Sequence, residues 1–221
     1  MEDISKYLGD FEFWSHLTES EMDDLNKNTV ERSYLGGSMI FDSSSECLGF
    51  VYVISGSLRT YMMSDEGREV TLFRLDRGDC CVLSASCVIK EISFDSYMAA
   101  EEDTKLMIIN AGTVSRLSGK NIYFRCFTYE LATRRFSAAM KTMDNLLFLK
   151  LEGRLASFLL SEQKRTGTNE IKMTHEQVAQ HINSAREVVA RTLKRFVQDG
   201  LVEVKRGVII IKDIEGLKSL I

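Results

Sequence analysis

Short runs of alternating apolar and polar residues, separated by glycines, fill the chain from Ser38 to Asn110. These runs are SMIF, FVYVI, SLRTYMM, REVTLFRL, YMAAE and KLMIIN. A period of two, together with many β-branched and aromatic residues, is typical of half-buried strands. Gly56, Gly67 and Gly78 lie between runs, where glycine tolerates the positive φ of a tight turn. Many short strands with regular turns predict a jelly roll or barrel.

A helical pattern begins after Gly119. Residues 120–165 contain no proline and no glycine cluster, and apolar residues recur close to the heptad period at Phe124, Phe127, Leu131, Ala138 and Leu146. We therefore predict a long helix over about 120–147 whose apolar stripe forms a dimer seam. The alternative is that this stripe packs on the chain's own barrel.

Two helix starts lie close together near the C-terminus. Each matches the capping box, in which Ser or Thr is followed three residues later by Glu or Gln: Thr174 with Gln177, and Ser184 with Glu187. The first helix spans only about two turns, and Asn183 then tolerates the left-handed backbone of a tight turn. A short helix, a tight turn and a longer helix predict a helix-turn-helix.

The second helix has an apolar face and a charged face. Apolar residues at i, i+4, i+7 and i+8 predict that the buried face consists of Val189, Leu193, Phe196 and Val197. The opposite face carries Arg186, Glu187, Arg191, Lys194, Arg195 and Gln198. In a DNA major groove an arginine can hydrogen-bond to O6 and N7 of guanine, and a carboxylate can accept from N4 of cytosine. The lysine and the remaining arginine can neutralise phosphates.

After Gly200, the stretches LVEVK and VIIIK flank Arg206 and Gly207 and predict a β-hairpin, which would form a wing beside the second helix. The predicted DNA-binding residues are Thr174, Ser184, Arg186, Glu187, Arg191, Lys194 and Arg195. Capping is the ordinary role of a Thr or Ser at a helix start, and a basic helix face is often only solvated. The prediction therefore depends on the agreement of caps, turn, apolar face and wing.

The composition is that of a globular protein. Of the 221 residues, 44% are hydrophobic and 27% are charged. No apolar run approaches the roughly 18 residues of a membrane span, and the N-terminus is acidic where a secretory signal carries lysines. The five cysteines have no paired spacing, which disfavours a disulfide framework. We expect a cytoplasmic protein without a membrane partner.

The charge is unevenly distributed along the chain. Residues 1–147 hold 15 Lys and Arg against 23 Asp and Glu, whereas residues 148–221 hold 13 against 9. An acidic part joined to a basic part suggests that only the second part meets a polyanion. We accordingly expect two domains, with a sensing domain over 1–147 and a DNA-binding domain over 148–221.

Two segments resemble the Crp/Fnr family of bacterial transcription regulators. The run ISGSLRTYMMSDEGREVTLFRLDRGD is similar to the family's β-roll, and AREVVARTLKRFVQDGLV is similar to its recognition helix. The family's Arg-Glu pair, followed by an Arg four residues after the Glu, corresponds to Arg186, Glu187 and Arg191. The resemblance implies an α+β protein with an N-terminal double-stranded β-helix (a jelly roll like a cyclic-nucleotide-binding domain), a long dimerisation helix and a C-terminal winged helix-turn-helix. It further implies a homodimer, a palindromic operator akin to TGTGA and RNA polymerase as a partner.

The sensor departs from the relatives that bind cyclic nucleotides. Those relatives have a Gly-Glu pair after the Gly-Asp turn and an arginine before the next strand, but this chain has no arginine between Arg77 and Arg116. A buried cyclic phosphate without a guanidinium partner would cost several kcal/mol. Cyclic AMP is therefore not the expected effector, and the cofactor is unknown.

Redox and haem chemistry remain alternatives for the sensor. Oxygen-sensing relatives hold an iron-sulfur cluster on cysteines near the N-terminus, whereas no cysteine precedes Cys47 here. Cys80, Cys81 and Cys87 form a weak redox or effector group, but adjacent residues on a strand point to opposite faces and core packing is the favoured role. Haem could bind through His16 or a cysteine.

Two other classes of function compete with a regulator. The chain could be a ligand-binding signalling protein whose winged helix mediates protein contacts. It could be an enzyme, but we find no nucleophile-base-acid set, metal-ligand spacing or phosphate loop, and the three histidines have no evident partners. We predict neither catalytic residues nor a metal site.

Overall fold

The computed structural model describes residues 4–42, 48–82 and 95–221. The chain divides into two compact units. The N-terminal unit comprises Met1–Arg68 and Leu72–Ala139, and the C-terminal unit comprises Glu69–Thr71 and Met140–Ile221. No helix among the described residues is both long enough and apolar enough to cross a membrane.

The described residues of the N-terminal part of the chain form eight strands in two sheets. They are β1 (Thr29–Tyr34), β2 (Met39–Phe41), β3 (Phe50–Ser55), β4 (Ser57–Met63), β5 (Glu69–Asp76), β6 (Cys80–Cys81), β7 (Tyr97–Ala100) and β8 (Thr104–Ile109). One sheet has the order β1-β8-β3-β6 and the other β2-β7-β4-β5. Gly56 joins β3 to β4 with a φ of 82°, and a Cβ there would lie 2.6 Å from the carbonyl oxygen of Asp103. The predicted jelly-roll class is confirmed.

The two sheets enclose one apolar cluster. Val51 and Leu106 from the first sheet and Leu58 and Met98 from the second are buried in it, because alternate residues of each strand point inward. The other face of the first sheet is covered by helices: α1 (Ser5–Leu8), a 3-10 helix (Glu12–His16), α2 (Glu19–Lys27), α3 (Ala111–Lys120) and α4 (Ile122–Phe148). A second cluster, centred on Phe13, fills that layer.

One face of α4 belongs to this core. Phe124 and Leu131 are buried in the helix-covered cluster and Phe127 packs against it, while Ala138 packs against the cluster between the sheets. Phe124 and Leu131 therefore do not form part of the predicted dimer seam, because the unit's own core covers them, whereas a place in the seam for the half-buried Phe127 and Ala138 stays a prediction. Leu146, from the same predicted stripe, is half-buried.

The C-terminal unit is a helical domain with a small sheet. Its elements are α5 (Leu151–Thr166), β9 (Glu170–Ile171), α6 (His175–His181), α7 (Arg186–Gln198), β10 (Val202–Lys205), β11 (Val208–Ile211) and α8 (Ile214–Lys218). The sheet has the order β10-β11-β9, with antiparallel pairing. Leu155, Val178, Phe196 and Ile209 are among the side chains that close one shared core. The winged helix-turn-helix is thereby confirmed.

Candidate nucleic-acid interface

The first helix of the motif, α6, is fixed by its cap. The Thr174 hydroxyl accepts a hydrogen bond from the Gln177 backbone N–H at 3.2 Å. The Gln177 side chain accepts from the Thr174 N–H at 2.8 Å. This is the predicted capping box, and it satisfies backbone donors that have no partner within the helix. Thr174 is exposed, and its contact with DNA stays a prediction.

The turn between α6 and α7 depends on Asn183. Its φ of 55° lies in the left-handed region, as the sequence predicted. The Ser184 N–H donates to the Ala179 carbonyl at 2.9 Å and closes the turn. Ser184 does not cap α7, because the residue before the helix is Ala185, and no side chain caps it. The second capping-box prediction is wrong, since the turn runs one residue further than the Ser-x-x-Glu pattern implies.

The inner face of α7 packs into the core of the unit. Val189, Leu193 and Phe196 are buried, as predicted. Val197 was expected beside them but is 43% exposed, and Thr192 is buried in its place. The Thr192 hydroxyl donates to the Val188 carbonyl at 2.9 Å, which satisfies this polar group within the helix.

The outer face of α7 is charged and exposed. Arg186, Glu187, Arg191 and Lys194 all lie in solvent. Among the described residues none of these four has an ion-pair partner, so their charged ends are available to a ligand. At 100° per residue, Glu187, Arg191 and Lys194 lie close together on one side of the helix, opposite the buried face. This side of α7 can present guanidinium, carboxylate and ammonium groups to one surface.

Arg195 differs from the other basic residues of α7. Its guanidinium lies 3.1 Å from the carboxylate of Glu152 on α5, and its side chain is 54% exposed. The ion pair directs Arg195 toward its own unit and offsets its charge. Of the two predicted phosphate-binding residues, Lys194 is therefore better placed than Arg195 to contact a phosphate.

The wing is the β10–β11 hairpin, and it lines a common cleft with the N-terminal ends of α6 and α7. A cleft of about 430 Å³ is lined by Thr174 and His175 from the start of α6, by Arg186 from α7, and by Lys205 and Arg206 from the wing. Gly207 completes the tip of the hairpin with a φ of 74°. Basic side chains thus border the cleft on two sides, as expected for a site that takes a polyanion.

A second exposed surface lies on α4, on the face that the N-terminal core does not cover. We call it the α4 stripe: Ile122, Cys126, Tyr129, Thr133, Phe136, Met140, Met143 and Leu147. The sequence spacing between successive members of the stripe alternates between four and three residues, which is the spacing of the a and d positions of a coiled coil. Phe136 is 60% exposed and Leu147 is 68% exposed. This stripe was not predicted as a seam, although its regular spacing is visible in the sequence.

The sensor candidates lie in the N-terminal unit. Cys80 and Cys81 are both buried, Cys80 in the helix-covered cluster and Cys81 between the sheets. Burial raises the pKa of the Cys80 thiol to about 12, so it is protonated at neutral pH and a weak nucleophile. Cys87, the third candidate, lies outside the described residues. The ring of His16 stacks on that of Tyr123 with the centroids 3.6 Å apart.

The chain is similar to known regulators over nearly its whole length. Residues 153–220 match the Crp-like helix-turn-helix domain. A Crp/Fnr-family transcriptional regulator from Eubacterium rectale has a crystal structure with a TM-score of 0.88 and 40% identity, covering 97% of this chain and 98% of that one. The anaerobic regulatory protein of Haemophilus influenzae is 25% identical over 92% of this chain and 81% of its own. The cAMP-activated global transcriptional regulator CRP of Salmonella typhimurium is 22% identical over 80% of this chain and 87% of its own.

Proposed function

Because the chain belongs to the Crp/Fnr family of transcription regulators, we propose that it binds a palindromic TGTGA-like operator as a homodimer. The observation that carries this proposal is the exposed outer face of α7, where Arg186, Glu187 and Arg191 have no ion-pair partner among the described residues. Arg186 and Arg191 would contact guanine and Glu187 would contact cytosine, while Lys194 would contact a phosphate. The sensing domain would comprise residues 1–147, the DNA-binding domain would comprise residues 148–221, and RNA polymerase would be a further partner.

The test of this proposal is a titration of two labelled duplexes with the full chain. One duplex carries two inverted TGTGA half-sites, and the other has the same composition in scrambled order. We expect tighter binding to the palindrome by a factor of about 10³ or more, which is typical of specific readout. Equal affinity for the two duplexes, or no binding to either, would contradict the proposal.

We propose the α4 stripe as the homodimer seam. Its a and d positions are apolar except for Thr133, and all are exposed in the single chain. A palindrome has two-fold symmetry, and a parallel pairing of two α4 helices brings both C-terminal ends to the same end of the seam. A second copy of this chain therefore matches both the spacing of the stripe and the symmetry of the operator.

The parallel arrangement makes a prediction for Cys126. As an a-position residue it would lie opposite Cys126 of the second copy, within the reach of a disulfide. Treatment with oxidised glutathione should remove two electrons and two protons from the two thiols and produce a covalent dimer. Non-reducing gel electrophoresis measures this product, and dithiothreitol should reverse it.

Cys126→Ser is the matched control for this experiment and should give no covalent dimer. An antiparallel seam would place the two Cys126 residues far apart, beyond the reach of a disulfide. Absence of the covalent dimer in the unmodified protein, or its persistence in Cys126→Ser, would therefore contradict the parallel seam at this register.

For the sensor, we propose an effector other than cyclic AMP. The chain offers no arginine between Arg77 and Arg116 to pair with a cyclic phosphate. Calorimetric titration with cyclic AMP should give no saturable heat, and cyclic AMP should leave operator affinity unchanged. Saturable binding that raises operator affinity would contradict this prediction. Since the relatives are regulators rather than enzymes, we propose no catalytic activity.

A further inference from the structure

Three charged residues share the outer face of the wing. In the β10–β11 hairpin Glu203 pairs with Ile210 and Lys205 with Val208. Alternate residues of a strand point to the same face, so Glu203 and Lys205 are on one face, opposite the buried Val202. Lys212 follows β11 and occupies the diagonal position across from Glu203. The hairpin register thus places one carboxylate between two ammonium groups.

The Glu203 carboxylate holds both lysines. One oxygen lies 2.7 Å from Nζ of Lys212, and the other lies 3.1 Å from Nζ of Lys205. Hydrogen bonds from Lys212 and then Lys205 lower the pKa of Glu203, so the carboxylate is ionised at neutral pH. One negative charge therefore offsets part of the positive charge of the wing.

The pairing matters because of where Lys205 lies. Lys205 lines the cleft together with Arg186 and Arg206. Its ammonium group is held by Glu203, which also holds Lys212, whereas among the described residues Arg206 at the tip has no ion-pair partner. The wing thus holds one cation available to a ligand and one that is restrained.

We propose that Glu203 is a positioning residue that holds Lys205 away from DNA phosphates and so limits sequence-independent affinity. The inference rests on the proposed DNA binding. A regulator must leave non-specific DNA readily, because the number of competing sites is very large. An acid that holds a basic side chain lowers affinity for all sequences alike and leaves base recognition by α7 unchanged.

The test is the salt dependence of binding for Glu203→Gln, measured on the scrambled duplex. If Lys205 gains one phosphate contact, the slope of log affinity against log salt should steepen by about 0.9. The gain in affinity should then shrink by about threefold between roughly 50 and 200 mM salt. The ratio of the affinity for the operator duplex to that for the scrambled duplex should stay unchanged, because base recognition by α7 is not affected.

Two controls make the result specific. Glu215→Gln removes the same charge from α8, where Glu215 lies 2.7 Å from Lys218, and should leave the slope unchanged. Glu203→Gln combined with Lys205→Gln should lose the steeper slope. Circular dichroism establishes that the variants fold.

Two outcomes would overturn the inference. In one, Glu203→Gln behaves like Glu215→Gln. In the other, the double variant keeps the steeper slope. Both leave operator binding by the unmodified chain intact, so they are distinguishable from failure of the proposed function, in which that chain shows no preference for the operator.

Discussion

Arg186→Ala and Arg191→Ala should each lower the ratio of operator to scrambled affinity by about 5- to 150-fold. This range corresponds to the roughly 1–3 kcal/mol of discrimination that a bidentate contact to guanine contributes. Both guanidinium groups are exposed, and neither has an ion-pair partner among the described residues, so alanine removes the contact to the base without leaving a buried charge. Equilibrium titration of each variant against both duplexes measures the ratio.

Lys194→Ala is the matched control on the same face of α7. If Lys194 contacts a phosphate, the variant should weaken binding to both duplexes equally and make the salt slope shallower by about one contact. If an arginine variant weakens binding to both duplexes equally, as we expect for Lys194→Ala, that arginine does not contact a base.

Phe136→Glu should convert the proposed dimer to a monomer. At a d position the two rings would pack against each other across the seam. The substitution would remove that apolar contact and place two carboxylates side by side. Each protomer of the proposed dimer would bring one helix-turn-helix to one half-site. The affinity of the monomer for the operator should therefore fall to its affinity for a single half-site. Sedimentation velocity and operator titration measure the two effects.

Lys141→Gln provides the control for Phe136→Glu. It changes the net charge of α4 by the same amount at an exposed position outside the stripe, and it should leave the dimer intact. If Phe136→Glu still sediments as the dimer formed by the unmodified protein, the seam does not include the α4 stripe.

The fold follows from the sequence where local signals and packing agree. The strand alternation from Ser38 onward, Thr174 with Gln177, and Asn183 all predicted the observed local structure, because each depends on neighbours in the chain. Ser184 with Glu187 carries an equally good capping pattern, yet Ala185 takes the cap position. The extent of a tight turn is set by how two helices pack, and a short motif does not contain that information.

The two apolar stripes of α4 show a different limit of prediction from sequence. Helix α4 carries two apolar stripes, and periodicity alone does not tell which one the chain itself covers. Phe124 and Leu131 matched a heptad but face the core, whereas Phe136 and Met140 remain in solvent. Only the packing of α4 on the first sheet distinguishes the stripes. Likewise, Thr192 and Val197 lie on opposite flanks of the apolar face of α7, and the core covers the flank with Thr192, whose hydroxyl is satisfied within the helix.

Arg135 of α4 is bonded to the backbone of strand β6 in the N-terminal unit. Among the described strands β6 is the outermost of its sheet, and both of its residues are buried. The Arg135 guanidinium donates to the Cys80 carbonyl at 2.7 Å and to Asp79 at 3.0 Å. The carbonyl of a buried residue is thus satisfied by a charged donor. Loss of this side chain would leave the carbonyl of the buried Cys80 without its charged donor, at a cost of about 1–3 kcal/mol.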